Sequence, residues 1–167
     1  LAIDSHLNVG RDPSLVVDSN DNLHISYYHL SNSDLKYATY DGNTWNTSIV
    51  DSVGSVGTYS SMALDSYDNL HISYHDMINT ALKYATYDGS TWTNSTVDNT
   101  GNVGYYASIA VDSNDDLHIS HYDIINQYLM YTTYDGSSWT TSTVDSVDEV
   151  GEHTSIAVDS NDDLHIS

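Results

Sequence analysis

The 167-residue chain has no cysteine, no phenylalanine and a single proline, and only three of its residues are basic. Without cysteine there is no disulfide framework and no thiolate metal site, and the redox compartment is left open. Arg11, Lys36 and Lys83 stand against 24 acidic residues, for a formal net charge of −21. So negative a surface repels phosphate backbones and excludes nucleic acid as a partner. No apolar run approaches the roughly 18 residues of a membrane span. There is no initiator Met or basic leader segment, so the sequence reads as a piece of a longer chain. Fifteen tyrosines and three tryptophans are present, and their fixed spacing excludes a disordered acidic tail.

What is there repeats every 47 residues. SLVVDSNDNLHIS starts at Ser14, SMALDSYDNLHIS at Ser61, and SIAVDSNDDLHIS at Ser108 and again at Ser155, while Trp45, Trp92 and Trp139 keep the same step. A period in the forties points to propeller blades or helical arrays. No segment carries a 3.6-residue apolar stripe, and the Thr, Val and Tyr content disfavours helix. In the second repeat, β-prone runs fall at Met62 to Asp65, Leu70 to Tyr74, Leu82 to Tyr87 and Trp92 to Val97. Between them lie Asp/Asn/Ser clusters and an Asp-Gly pair, which is a tight-hairpin signal.

Four strands per unit predict an all-β fold, a β-propeller of four-stranded antiparallel blades, with about three and a half blades present. The expected division is the end of a preceding blade over 1–13, blades over 14–60, 61–107 and 108–154, and the start of a further blade over 155–167. Leu1 to Asp4 would then be a fourth strand. So open an arc exposes strand edges. The remaining blades are expected from further sequence or from another chain, and closure by oligomerisation is geometrically conceivable.

The run SIAVDSNDDLHIS followed by LKYATYDGSTW resembles the bacterial and archaeal surface-protein propeller repeats related to the NHL and BNR/Asp-box groups. The resemblance covers essentially the whole chain. It departs from the Asp-box pattern S/T-x-D-x-G-x-x-W, because Thr39-Tyr40-Asp41-Gly42-Asn43-Thr44-Trp45 is one residue shorter between Asp and Trp. Propeller lectins that grip fucose use an Arg in each pocket, and sialidase-type propellers need an Arg cluster. Arg11 alone meets neither requirement, so the resemblance implies a fold rather than an activity.

The second and third repeats differ mainly in the loop between their second and third strands and in the connection between units. Both fall at one end of a propeller, where a ligand-facing rim would lie. Tyr28, Tyr59, His75, Asp76, Tyr105, Tyr106, Tyr122 and Asp123 are the candidate ligand-binding residues there. Tyrosine offers a flat apolar face with a polar tip, and nearby carboxylates accept hydroxyl hydrogen bonds, which together suit carbohydrate or peptide. Tyr27 and Tyr74 continue an apolar face and are expected to pack between blades. The series His24, His71, His118 and His165 sits a blade-width apart, too far to share one metal. Each imidazole is expected to bond a backbone group or a Ser or Tyr of the adjacent blade. The turns at Asp18, Asp65, Asp112 and Asp159 loosely resemble a calcium loop but lack its Gly and its distal Glu, so Ca2+ stands as the only cofactor to test.

No Cys nucleophile, GxSxG elbow, HExxH helix or Gly-rich phosphate loop is present, so no catalytic residue is expected. The sequence reads as a secreted or cell-surface binding or adhesion module with a glycan or surface-protein ligand. Two alternatives stay open. One is a purely structural repeat of a larger surface protein or assembly, and the other is the non-catalytic part of a propeller enzyme.

Overall fold

The computed structural model describes residues 3–5 and 7–167. The first sheet is a meander of β1 (Val9–Val17), β2 (Leu23–His29), β3 (Asp34–Tyr40) and β4 (Trp45–Asp51). The second repeats it with β5 (Val56–Leu64), β6 (Leu70–Asp76), β7 (Ala81–Tyr87) and β8 (Trp92–Asp98). The third consists of β9 (Tyr105–Val111), β10 (Leu117–Asp123), β11 (Tyr128–Tyr134) and β12 (Trp139–Asp145), and a pair follows, β13 (Ile156–Val158) with β14 (Leu164–Ile166). All neighbours are antiparallel, and the architecture is that of β-propeller blades. Of the strand expected over Leu1 to Asp4, Leu1 and Ala2 lie outside the described residues, and Ile3 and Asp4 are in no strand.

The first strand of each blade starts earlier than the β-prone run suggests, at Val9 and Val56 rather than near Ser14 and Ser61. Its leading half contains glycine and residues that read as turn formers. The ladder nevertheless continues across bulges between Val56 and Thr58 and between Thr58 and Ser61.

Blades pack face to face because both faces of each sheet are apolar. Leu35, Tyr37 and Val50 of the first blade meet Val56, Met62, Ile72 and Tyr74 of the second. Leu82 of the second meets Val103, Ala107, Ile109 and Ile119 of the third. Trp92 lies edge-on to Tyr37 at 5.2 Å between centroids, and Trp139 does the same to Tyr84. Trp92 and Trp139 therefore anchor their blades to the one before. The repeat position held by Leu15, Met62 and Ile109 shows what this packing covers. Met62 and Ile109 are 5% and 6% exposed, while Leu15, on the face with no blade against it among the described residues, is 55% exposed.

Polar stitches run alongside. The Ser14, Ser61 and Ser108 hydroxyls accept the Met62, Ile109 and Ile156 amides of the next first strand at 3.0–3.2 Å. At the end carrying the β1–β2 turns and their equivalents, Ser66 donates its amide and hydroxyl to the two oxygens of Asp115, both at 2.8 Å. Ser19 with Asp68 and Ser113 with Asp162 repeat the clasp.

The histidine series has its partner within its own blade, a correction to the expectation of an adjacent one. His24, His71 and His118 Nδ1 lie 2.5–2.6 Å from the hydroxyls of Tyr37, Tyr84 and Tyr131, on the neighbouring strand of the same sheet. Their Nε2 atoms lie 3.2–3.4 Å from Asp18, Asp65 and Asp112. For His24 a proton on Nε2 fits both contacts, donating to Asp18 while Nδ1 accepts from Tyr37; Nε2 of His71 and of His118 lies near its carboxylate without forming a hydrogen bond.

Candidate functional site

The rim is built from one local device. Each blade enters its first strand through Val-Gly-x-x-x-Ser, which occurs at Val9, Val56, Val103 and Val150. The glycine has positive φ, and its hydrogen faces the preceding blade. A Cβ on Gly57 would stand 2.7 Å from Leu35 Cα, and one on Gly104 2.8 Å from Leu82 Cα. Only glycine allows that approach. Two residues on, Asp12, Tyr59, Tyr106 and His153 all hold φ between 47° and 56°. For an aromatic residue this left-handed backbone is uncommon and strained. The Tyr59 amide is held by the Asp12 carboxylate at 3.1 Å.

The device lies against the turns between second and third strands, so both variable segments share one end. Val56, Val103 and Val150 donate their amides to the carbonyls of Ser33, Thr80 and Gln127, at 3.0–3.2 Å. On this frame the aromatic rings of successive blades meet. Tyr59 lies 4.7 Å from Tyr106 and 5.4 Å from Tyr105. His75 sits 4.2 Å from Tyr105, and His153 4.1 Å from Tyr106. Tyr59, Tyr105 and Tyr106 are half-buried, with His153 exposed beside them. The result is a band of rings running over three successive blades.

The other candidates lie differently. Tyr28, His75, Asp76, Tyr122 and Asp123 are buried. The Asp76 carboxylate caps its own turn, accepting the Ile78 and Asn79 amides at 3.0 Å and the Asn79 side chain at 2.8 Å. Asp123 does the same with Ile125 and Asn126. Both carboxylates therefore stabilise the loop rather than face the ring band. Tyr28 points its hydroxyl at Ser55, 3.3 Å away. Tyr122 lies under Tyr106, with 6.3 Å between centroids. Burial, with the charges of Glu149 and Glu152 behind it, raises its phenol above the usual range. Burial also pushes the His75 imidazole down to about 4, against the opposing pull of Asp76, so the ring under Tyr105 is neutral.

His153 joins the band although it reads in sequence as loop variation. The signal was there, since it stands 47 residues after Tyr106 and 94 after Tyr59. Tyr74 is buried between blades and donates to Asp51 at 2.8 Å, whereas Tyr27, on the first blade's outer face, is buried beside Asp4, to which it donates at 2.9 Å.

The turn carboxylates considered for calcium are already engaged by N–H donors. Asp18 accepts the amides of Asn20 and Asn22 and the Asn22 side chain, at 2.8–2.9 Å. Burial alone would raise this carboxyl, but Asn22, His24 and Asn20 outweigh it and hold it at about 2. Among the described residues, no group of three or more His, Asp or Glu is placed to hold a metal ion.

No family model matches the chain, and no curated protein matches it. Solved structures do. A fucose lectin from Kordia zhangzhouensis, in complex with methyl-fucoside, is similar at TM-score 0.52 and 21% identity, over 78% of this chain and 96% of that one. The Aleuria aurantia lectin, in complex with Fucα1-6GlcNAc, matches at TM-score 0.63 and 18% identity, over 92% of this chain and 52% of the lectin. A Hadza microbial sialidase matches at TM-score 0.64 and 15% identity, over 90% of this chain and 40% of the enzyme. The chain thus spans about half or less of the last two. At these identities the likeness is one of fold, and it is to β-propeller-like proteins.

Proposed function

We propose that the chain is a non-catalytic β-propeller module that binds neutral glycans at its ring band, as part of a secreted or cell-surface protein. The carrying observation is the band itself, in which Tyr59, Tyr105 and Tyr106 are partly exposed, with Tyr59 and Tyr106 on strained backbone held in place by neighbouring blades. Flat aromatic faces beside hydroxyl acceptors suit the apolar faces and hydroxyls of a sugar ring. The lectins of similar fold bind fucosides, which supports a sugar ligand. With a charge of −21, the surface repels acidic sugars, so neutral glycans are favoured. Kinship with surface-protein repeats belongs to the same proposal, supported by the recurring SIAVDSNDDLHIS, as does completion of the ring by further blades over the exposed Leu15 face. No metal is part of it.

The burial of Tyr28, His75, Asp76, Tyr122 and Asp123 favours a second reading, that of a purely structural repeat. A glycan array probed with the intact protein and with Tyr106→Ala separates the two. Binding to neutral glycans that weakens about tenfold in the variant supports the module, since a lost ring contact is worth roughly 1.4 kcal/mol on this scale. Absence of binding across the array supports the structural repeat.

A further inference from the structure

The repeat breaks in its interior as well as at its rim. In the first and second blades, Lys36 and Lys83 reach a buried carboxylate, Asp4 and Asp51 respectively. The hydroxyls of Tyr27 and Tyr74 donate to the same oxygens at 2.9 and 2.8 Å. The equivalent carboxylate in the next interface is Asp98, and both of its donors are replaced. His121 stands where Tyr74 stood, and Met130 where Lys83 stood.

Asp98 stays buried, at 5% exposure. Its Oδ1 accepts the amide and hydroxyl of Thr100 at 2.9 and 2.7 Å. Its Oδ2 has no hydrogen-bond partner among the described residues. His121 does not reach it. The imidazole Nε2 pairs instead with Thr132, 3.0 Å away, and burial holds the ring neutral with a pKa near 4 despite the pull of Asp98. Thr132 in turn pairs with Thr141 at 2.9 Å. Above Asp98 opens a groove of about 380 Å3, walled by Val97, Met130, Thr141 and Thr143. In the preceding interface the corresponding space is crossed by the Lys83 side chain and by Asn94, which donates to the Val50 carbonyl at 2.9 Å.

We propose that this groove is a binding site for an alkylammonium group, whose charged head pairs with Asp98 Oδ2 as Lys83 pairs with Asp51. A buried carboxylate oxygen without a donor carries a large desolvation cost, which a charge-assisted hydrogen bond from a ligand ammonium relieves. The Met130 and Val97 side chains supply apolar contact for the alkyl stem. The first two blades demonstrate the chemistry with their own lysines.

The thermal midpoint of the chain is measured in n-butylammonium chloride and in Nα-acetyl-lysine-methylamide. Potassium chloride and tetramethylammonium chloride at equal ionic strength serve as controls. A rise of about 3 °C or more in either amine over both controls is expected at ligand concentrations far above Kd. The better of the two amines identifies the source as a free amine or a peptide lysine. Met130→Lys should raise the midpoint by itself and abolish the response to amines, and Asp98→Asn should abolish the response alone. Equal midpoints in amine and potassium chloride overturn the proposal. So does an equal rise with tetramethylammonium, which has no N–H to donate, or a full response in Asp98→Asn.

Discussion

The two blade interfaces are built from the same repeat yet hold their buried charge differently. Between the first and second blades, Asp51 is paired with Lys83 and Tyr74. Between the second and third, Asp98 faces Met130 and His121, with one oxygen unpaired. The two apolar clusters share the repeat positions Leu35 and Leu82, Val56 and Val103, Met62 and Ile109, and Ile72 and Ile119, so the comparison centres on the polar groups. A buried carboxylate that keeps its cation is internally satisfied and closed. One that has lost it is a local liability beside an open groove, and such a liability is where a ligand has most to offer.

The largest expected effect comes from making the first interface resemble the second. Lys83→Met removes the cation from Asp51 and should destabilise the chain by about 3–5 kcal/mol, as for one partner lost from a buried ion pair. Urea denaturation measures it. A loss below about 1 kcal/mol would mean that the two interfaces are energetically equivalent and that the contrast lies in geometry alone.

Acid should expose the second interface next. His75 and His121 are held by burial at about 4, against roughly 6.5 for the unfolded chain. Their folded values are depressed, so the unfolded state takes up protons first. Stability is complete above about pH 6.5, falls as the pH drops towards 4, and stops falling from this cause below that. His71, also lowered by burial, acts in the same direction. The shifts of His75 and His121 are each worth about 3 kcal/mol. His121→Tyr restores the residue of the other blades, and it should remove about that much of the loss between pH 6.5 and 4 in denaturation curves taken along the pH scale. An unchanged slope would show that His121 does not titrate as a buried group.

The smallest effect separates a glycine pressed against a blade from one that is not. Gly10 and Gly57 occupy the same repeat position at φ of 86° and 108°. A Cβ on Gly10 meets nothing within 4 Å, whereas one on Gly57 meets Leu35 backbone at 2.7 Å. Gly10→Ala should cost about 1 kcal/mol from backbone strain alone, and Gly57→Ala about 1–2 kcal/mol more. Equal costs in chemical denaturation would remove close blade contact as the reason for the glycine.

Much of the fold could be read from the spacing of residues. Asp41-Gly42 and its counterparts marked hairpins, and Trp45, Trp92 and Trp139 marked the fourth strands, because turn chemistry and β-propensity act locally. The first strands were half legible. Val56 to Ser60 looks like a loop by composition and becomes strand only because β6 and the preceding blade hold it there. The rim was legible as a place but not as a set of side chains. Tyr105 and Tyr106 meet other rings, while Asp76 and Asp123, equally polar and equally near, turn inward to cap their own loops. Sequence shows that a carboxylate is present, and only the tertiary structure shows which donor reaches it.

The 47-residue period by itself determined the repeat and its four strands, because periodicity survives without knowing any contact. Tertiary structure decided that the histidines pair within their own blade, that His153 belongs with Tyr106, and that Asp98 is left with an unpaired oxygen. These depend on which faces of neighbouring sheets come together. A substitution such as Lys to Met at Met130 is silent until the packing shows which buried charge it leaves without a partner.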